Sequence, residues 1–177
     1  DLVGRKMVMR KGALFMRLVS MFNAFVKEWS AHPLSDQLES DQSELGQSVK
    51  IWAAANQQMV QSGMGMQALA RERGAEGGTL YATPFMMQVA GISAGYFLLQ
   101  QGLVAAEKLN TLKTENGIDE SDKPEAYQDF LKKNANAQFY DNKLKTIHFY
   151  MTSVLPTFEA KTQGIKNKNF DALDIHL

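Results

Sequence analysis

The sequence predicts an all-α fold, an antiparallel four-helix bundle of long helices. Three observations predict it: apolar residues recur at helical spacing in four separate stretches, two long runs carry no charge, and no alternating strand bounded by turn residues occurs. At 177 residues the chain is the size of one domain and long enough to bury a core. Its 45% hydrophobic and 10% aromatic content argues against disorder.

The first stripe is Phe15, Leu18, Phe22, Phe25 and Trp29, and His32-Pro33 closes it because Pro disfavours helical geometry in the residue before it. The second runs through Leu45, Val49, Trp52, Asn56, Met59, Gly63 and Met66, and its helix opens at either Asp36-x-x-Glu39 or Asp41-x-x-Glu44, both of capping-box form. Gly74, Gly77 and Gly78 break the chain. Thr83-Pro84 then supplies an N-cap and a Pro at the first helical position of the third helix. Its stripe is Phe85, Val89, Ile92, Tyr96, Leu99, Leu103 and Ala106. Residues 113–125, with Asn116-Gly117 and the acidic Asp119, Glu120 and Asp122, form the longest exposed connection. Asp122-x-x-Glu125 opens the fourth helix, marked by Tyr140, Leu144, Ile147, Met151, Val154 and Phe158. Pro156 inside that stretch predicts a kink and a freed carbonyl one turn earlier, near Thr152. The bundle domain is thus read as 1–165 and the remainder, 166–177, as a C-terminal tail. Pure heptad stripes would give an elongated coiled coil instead, but the middle stripes are broad and mixed with Gly and Ala.

Residues 51–70 and 77–106 hold no charged side chain, where an even spread would place about ten. Thirty uncharged residues suffice to span a bilayer, and Gly91-x-x-x-Gly95 has the spacing of close transmembrane packing. Gln88, Gln100, Gln101, Thr83 and Ser93 in that run, and Asn56, Gln57, Gln58, Gln61 and Gln67 in the other, are too polar for hydrocarbon. Two helices at the centre of a bundle explain both runs better, so no membrane span is predicted. Gly63, Gly65, Gly91, Gly95 and Gly102 are either sites of close helix approach or tolerated interior glycines costing about 1 kcal/mol each against Ala.

The chemistry that many folds advertise is missing. With 19 basic and 19 acidic residues the net charge is zero, which gives no support for nucleic-acid binding. The absence of Cys rules out disulfides and thiolate ligands and is compatible with a reducing, cytoplasmic setting. His32, His148 and His176 stand alone without a carboxylate three residues before them, so no metal site is predicted. No phosphate-binding glycine loop, serine elbow or calcium loop occurs. The ten Met and the stripe residues Trp29 and Trp52 read as core filling. No catalytic residue is assigned, and no cofactor-binding residue is identified.

Three segments carry a resemblance. Asp1-Leu2-Val3-Gly4-Arg5-Lys6-Met7, Ala82-Thr83-Pro84-Phe85-Met86 with Ala90-Gly91, and Phe139-Tyr140-x-x-Lys143-x-x-Thr146-x-x-Phe149-Tyr150 followed by Val154-Leu155-Pro156 are similar, in this order, to the C-terminal extension of the long subgroup of acyl-CoA dehydrogenases. The resemblance implies a longer FAD-dependent parent that oxidises an acyl-CoA thioester. There a carboxylate removes the α-proton, hydride passes to the flavin, and an electron-transferring partner reoxidises it. The catalytic Glu and the flavin site would lie upstream of Asp1, and the first few residues would be the edge of the catalytic domain. The fragment alone would then be inactive and hold no FAD, covering the active site or forming subunit interfaces of a homo-oligomer. Arg5 and Lys6 match the subgroup's Arg-Lys pair, either an interdomain or phosphate contact or a solvated first turn. The competing reading is a stand-alone helical interaction module that dimerises through the uncharged helices.

Overall fold

The computed structural model describes residue 5 and residues 9–32, 44–118 and 124–175. All secondary structure among them is helical. A 3₁₀ turn, Met9–Gly12, leads into α1 (Ala13–Ser30) through Gly12, whose φ of 84° is the left-handed geometry that favours glycine. Next come α2 (Glu44–Leu80), α3 (Ala82–Glu115), α4 (Pro124–Lys133) and α5 (Ala135–Phe149). A π-helical turn, Tyr150–Val154, joins α5 to α6 (Leu155–Ala160), and α7 (Gln163–Asn167) and a 3₁₀ turn (Asp171–Leu173) follow.

The apolar stripes locate the core. Helix α3 packs most extensively on α5 and α2, and α1 lies along α2. Trp52 is fully buried and meets Phe22 and Phe25 edge-on, with ring centroids 5.3 and 5.6 Å away. Tyr96 packs on the same two Phe rings at 5.2 and 5.3 Å. A smaller cluster of Leu109, Phe130, Leu131 and Ala137 caps one end, with Tyr127 and Tyr140 against it. Asn56 and Gln88, polar residues that weighed against hydrocarbon, are inside: Asn56 donates to Asn23 Oδ1 at 3.1 Å.

Several boundaries differ from the sequence expectation. Both candidate boxes for α2, apart from Glu44, fall outside the described residues, as do Pro33 and the acidic residues Asp119, Glu120 and Asp122. Gly74 alone breaks α2, at φ 65° beside a non-helical Arg73. Gly77 and Gly78 stay helical; a Cβ on Gly77 would lie 2.5 Å from the Leu69 carbonyl oxygen, so they serve the tight fold-back after the break. Helix α3 begins at Ala82, ahead of Thr83-Pro84, and its first backbone bond runs from Phe85 N to Tyr81 O at 3.0 Å. Pro84 therefore occupies the last position that needs no donor, which local pattern alone does not distinguish from the first.

The fourth periodic stretch is also divided, at Asn134, whose side chain accepts from Ala137 N at 3.0 Å and caps α5. The capping signal at Asp122 had masked this one. Replacing Asn134 by Ala is expected to cost about 1 kcal/mol, readable as a shifted urea midpoint with an unchanged slope. The π turn ends just before Pro156, where the lost amide hydrogen bond is absorbed in the wider register. Residues 168–174 are tied down: Arg73 pairs with Asp174 at 2.9 Å and stacks on Phe170, Lys168 pairs with Glu72, and Tyr81 donates to the Asn169 carbonyl at 2.7 Å.

The uncharged runs differ from each other. On α2 the exposed positions include Gln57, Gln61 and Gln67, with Met64 among them. Helix α3 is buried on two sides, by Phe85, Ile92, Tyr96 and Leu99 and by Gln88, Gly91, Gly95 and Gly102, yet from Thr83 to Val104 its third side is open and still uncharged. It is also long and apolar enough by composition to cross a membrane, with 39% of its most apolar window buried in the fold.

Candidate functional site

The middle of α3 is the most constrained part of the molecule. Trp52 Nε1 donates to the Ile92 carbonyl at 2.8 Å, and the Tyr150 hydroxyl donates to the Gly91 carbonyl at 2.8 Å. Both donors reach the helix backbone because Gly91 and Gly95 present no side chain. A Cβ on Gly95 would lie 2.7 Å from Trp52 Cδ1, one on Gly102 2.9 Å from Ile147 Cδ1 and Leu45 Cδ1, and one on Gly63 2.9 Å from Phe15. Gly91 is covered by the Phe158 ring and Gly65 by Ile165. All five glycines are therefore sites of close approach. The Gly91-x-x-x-Gly95 spacing receives aromatic rings from α2, the π turn and α6.

A second polar cluster joins α4 to α5. Tyr127 donates to Asp141 Oδ1 at 2.8 Å, and Lys145 Nζ donates to Oδ2 at 2.7 Å. Burial, then the hydrogen bond to Asp141 and its negative charge, push the Tyr127 hydroxyl well above its ordinary pKa, and burial alone raises Tyr150. A pKa raised by folding stabilises fully below the unfolded value of about 10 and progressively less above it. Stability is thus expected to fall as pH rises above about 10, with Tyr127→Phe flattening that fall; chemical denaturation at pH 8 to 11 measures it.

The sequence-selected residues scatter. Arg5 is exposed, while Lys6 and His176 lie outside the described residues. His32 Nε2 lies 3.3 Å from Glu107 Oε1 and its ring stacks on Trp29. His148 Nδ1 sits near Ser48 Oγ at 3.4 Å and the Glu44 carbonyl at 3.3 Å. His32 and His148 lie against different partners, and among the described residues no three His, Asp or Glu could share a metal ion.

A groove of about 520 Å³ between α3 and α5 was not anticipated; its lining includes Phe97, Gln101, Val104, Phe139, Tyr140 and Lys143. Lys143 Nζ donates to Gln101 Oε1 at 2.9 Å. The only sequence signal was the lack of charge in α3. A dinucleotide such as FAD would bring a diphosphate to one cation already engaged, with no glycine loop beside it. The groove does not fit FAD.

Over residues 18–176 the chain matches the family described as acetyl-CoA dehydrogenase C-terminal like. The chain belongs to that family. A butyryl-CoA dehydrogenase of Syntrophomonas wolfei subsp. wolfei is 26% identical over 174 residues, 98% of this chain and 24% of the relative. A second butyryl-CoA dehydrogenase of the same organism is 24% identical over 181 residues, 99% of this chain and 24% of the relative. This acyl-CoA dehydrogenase C-terminal domain thus spans about a quarter of the length of these relatives. No solved structure matches it. Of the three segments that carried the resemblance, the middle and last lie inside the family match, and the first, residues 1–7, precedes it.

Proposed function

We propose that the chain is the helical, non-catalytic C-terminal domain of an FAD-dependent acyl-CoA dehydrogenase, acting within a longer parent in the cytoplasm. The observation that carries this is the family match over residues 18–176, joined to relatives that align with nearly all of this chain over only 24% of their own length. In this reading α1, α2, α3 and the α5–α6 segment form an antiparallel four-helix bundle that covers the parent's active site or forms its subunit interfaces. FAD, when bound by the parent, supplies the hydride acceptor for α,β-oxidation of an acyl-CoA thioester, and an electron-transferring partner and a homo-oligomer belong to the same proposal. The residues here hold no part of the flavin, so their contribution is shape: a glycine-lined helix α3 locked by Trp52 and Tyr150.

The test is to express the parent polypeptide and this chain separately. The parent should purify yellow and bleach on adding butyryl-CoA, while the 177-residue chain should stay colourless. A parent without flavin, or one unresponsive to any acyl-CoA, would overturn the reading. The open, uncharged side of α3 favours a second reading, an interaction module without enzymatic activity, which a flavin-free but self-associating parent would support.

A further inference from the structure

The exposed side of α3 carries Thr83, Met87, Ala90, Ala94, Phe97, Gln101 and Val104, which step by 4, 3, 4, 3, 4 and 3 along the helix. That alternation is the seam of a coiled-coil pair, about 32 Å long at 1.5 Å per residue. Phe97 is 57% exposed, Val104 54%, and Met86 and Met87 46% and 40%. Phe139, 59% exposed, widens the strip into the groove beside it. At about 200 Å² for a large side chain, these five put roughly 500 Å² of apolar surface on one face, near the upper limit for a monomer.

We infer that this face pairs with the same face of a second copy, antiparallel and two-fold symmetric, with each copy's Met87 seated against the other's Phe97. The proposal deepens the homo-oligomer part of the function proposed above and rests on that part alone. Three features select a second copy. From Thr83 to Val104 the face bears no charge, so a charged partner gains nothing from it, and an identical strip matches it. The antiparallel register that sets Ala90 against the partner's Ala94 also sets Met87 against Phe97 and Thr83 against Gln101. Small residues then meet at the crossing, where they allow close backbones, and a flexible thioether meets an aromatic ring in the groove beside Phe139. The roughly 500 Å² of apolar surface is already more than half of the ~800 Å² per partner that a stable interface buries. The two nearby cations stay at the rim, Lys143 bonded to Gln101 and Lys161 Nζ 3.9 Å from Met87 Sδ.

Sedimentation of the 177-residue chain tests this, alongside Phe97→Glu and, as a control on α2, Met64→Glu at a 64% exposed site. The expected results are a wild-type dimer, a dissociation constant raised at least about 30-fold by Phe97→Glu, and no change for Met64→Glu. At concentrations low enough that all three are monomeric, melting midpoints should be equal, and the wild type and Met64→Glu alone should gain stability as concentration rises. Because the chain contains no Cys, mixing Ala90→Cys with Ala94→Cys under mild oxidation should yield the crossed disulfide dimer faster than either alone. A wild-type chain that is monomeric at every concentration overturns the proposal, as does a monomer that sediments with neutral lipid vesicles. A dimer that survives Phe97→Glu overturns this face while leaving self-association standing, and neither result bears on flavin or acyl-CoA in the parent.

Discussion

Trp52→Ala is expected to destabilise the domain by about 3–5 kcal/mol, as for other wholly buried aromatic truncations. At this chain length that lowers the melting midpoint by roughly 6–20 °C. Trp52 has no exposed surface, contacts Phe22 and Phe25 edge-on, and donates its indole hydrogen to Ile92 in α3. Its loss leaves a cavity where α1, α2 and α3 meet. Trp52→Phe should cost less, because it keeps much of the volume and gives up chiefly the hydrogen bond, worth about 1 kcal/mol. Calorimetric melts of the three proteins measure this; equal midpoints for wild type and Trp52→Ala would refute the placement of that core.

Gly95→Val should cost about 3 kcal/mol, the top of the usual range for overpacking. Helix propensity alone would favour most side chains over Gly by several tenths of a kcal/mol or more, so the sign of the effect is itself diagnostic. A Cβ there meets Trp52 Cδ1 at 2.7 Å and Nε1 at 3.0 Å, and the indole cannot retreat from Phe22 and Phe25. Gly95→Ala combined with Trp52→Phe should be less damaging than the sum of the two, with a coupling of about 1–2 kcal/mol. Additive costs in that double-mutant cycle would mean the two residues do not touch.

The same pair shows how far the sequence reading reached. Trp52 belonged to an apolar stripe and Gly95 to a motif of small residues, so each was legible as a packing element on its own helix. Which ring filled which glycine notch was not, because contacts such as Trp52–Gly95 and Phe158–Gly91 join residues more than 40 positions apart. The groove was hidden for the same reason: Phe97 and Phe139 lie on different helices, and nothing in either stretch says that their exposed faces adjoin. Asn134 escaped because the apolar stripe alone does not show that the helix is interrupted there, and its cap on Ala137 N is seen only in the folded chain.

Helical periodicity, a property of neighbours three and four apart, determined by itself that this chain is all-α and which stripes form the core. The ordered segments 82–91 and 139–156 likewise pointed to the acyl-CoA dehydrogenase family before any coordinates. Only the tertiary structure decided that α3 is buried on two sides and open on the third. Charge patterning records that a surface avoids ions, and burial in a core and exposure for pairing both satisfy that condition. The arrangement of α2 and α5 around α3 separates them, by covering the glycine faces and leaving Met87, Phe97 and Val104 uncovered.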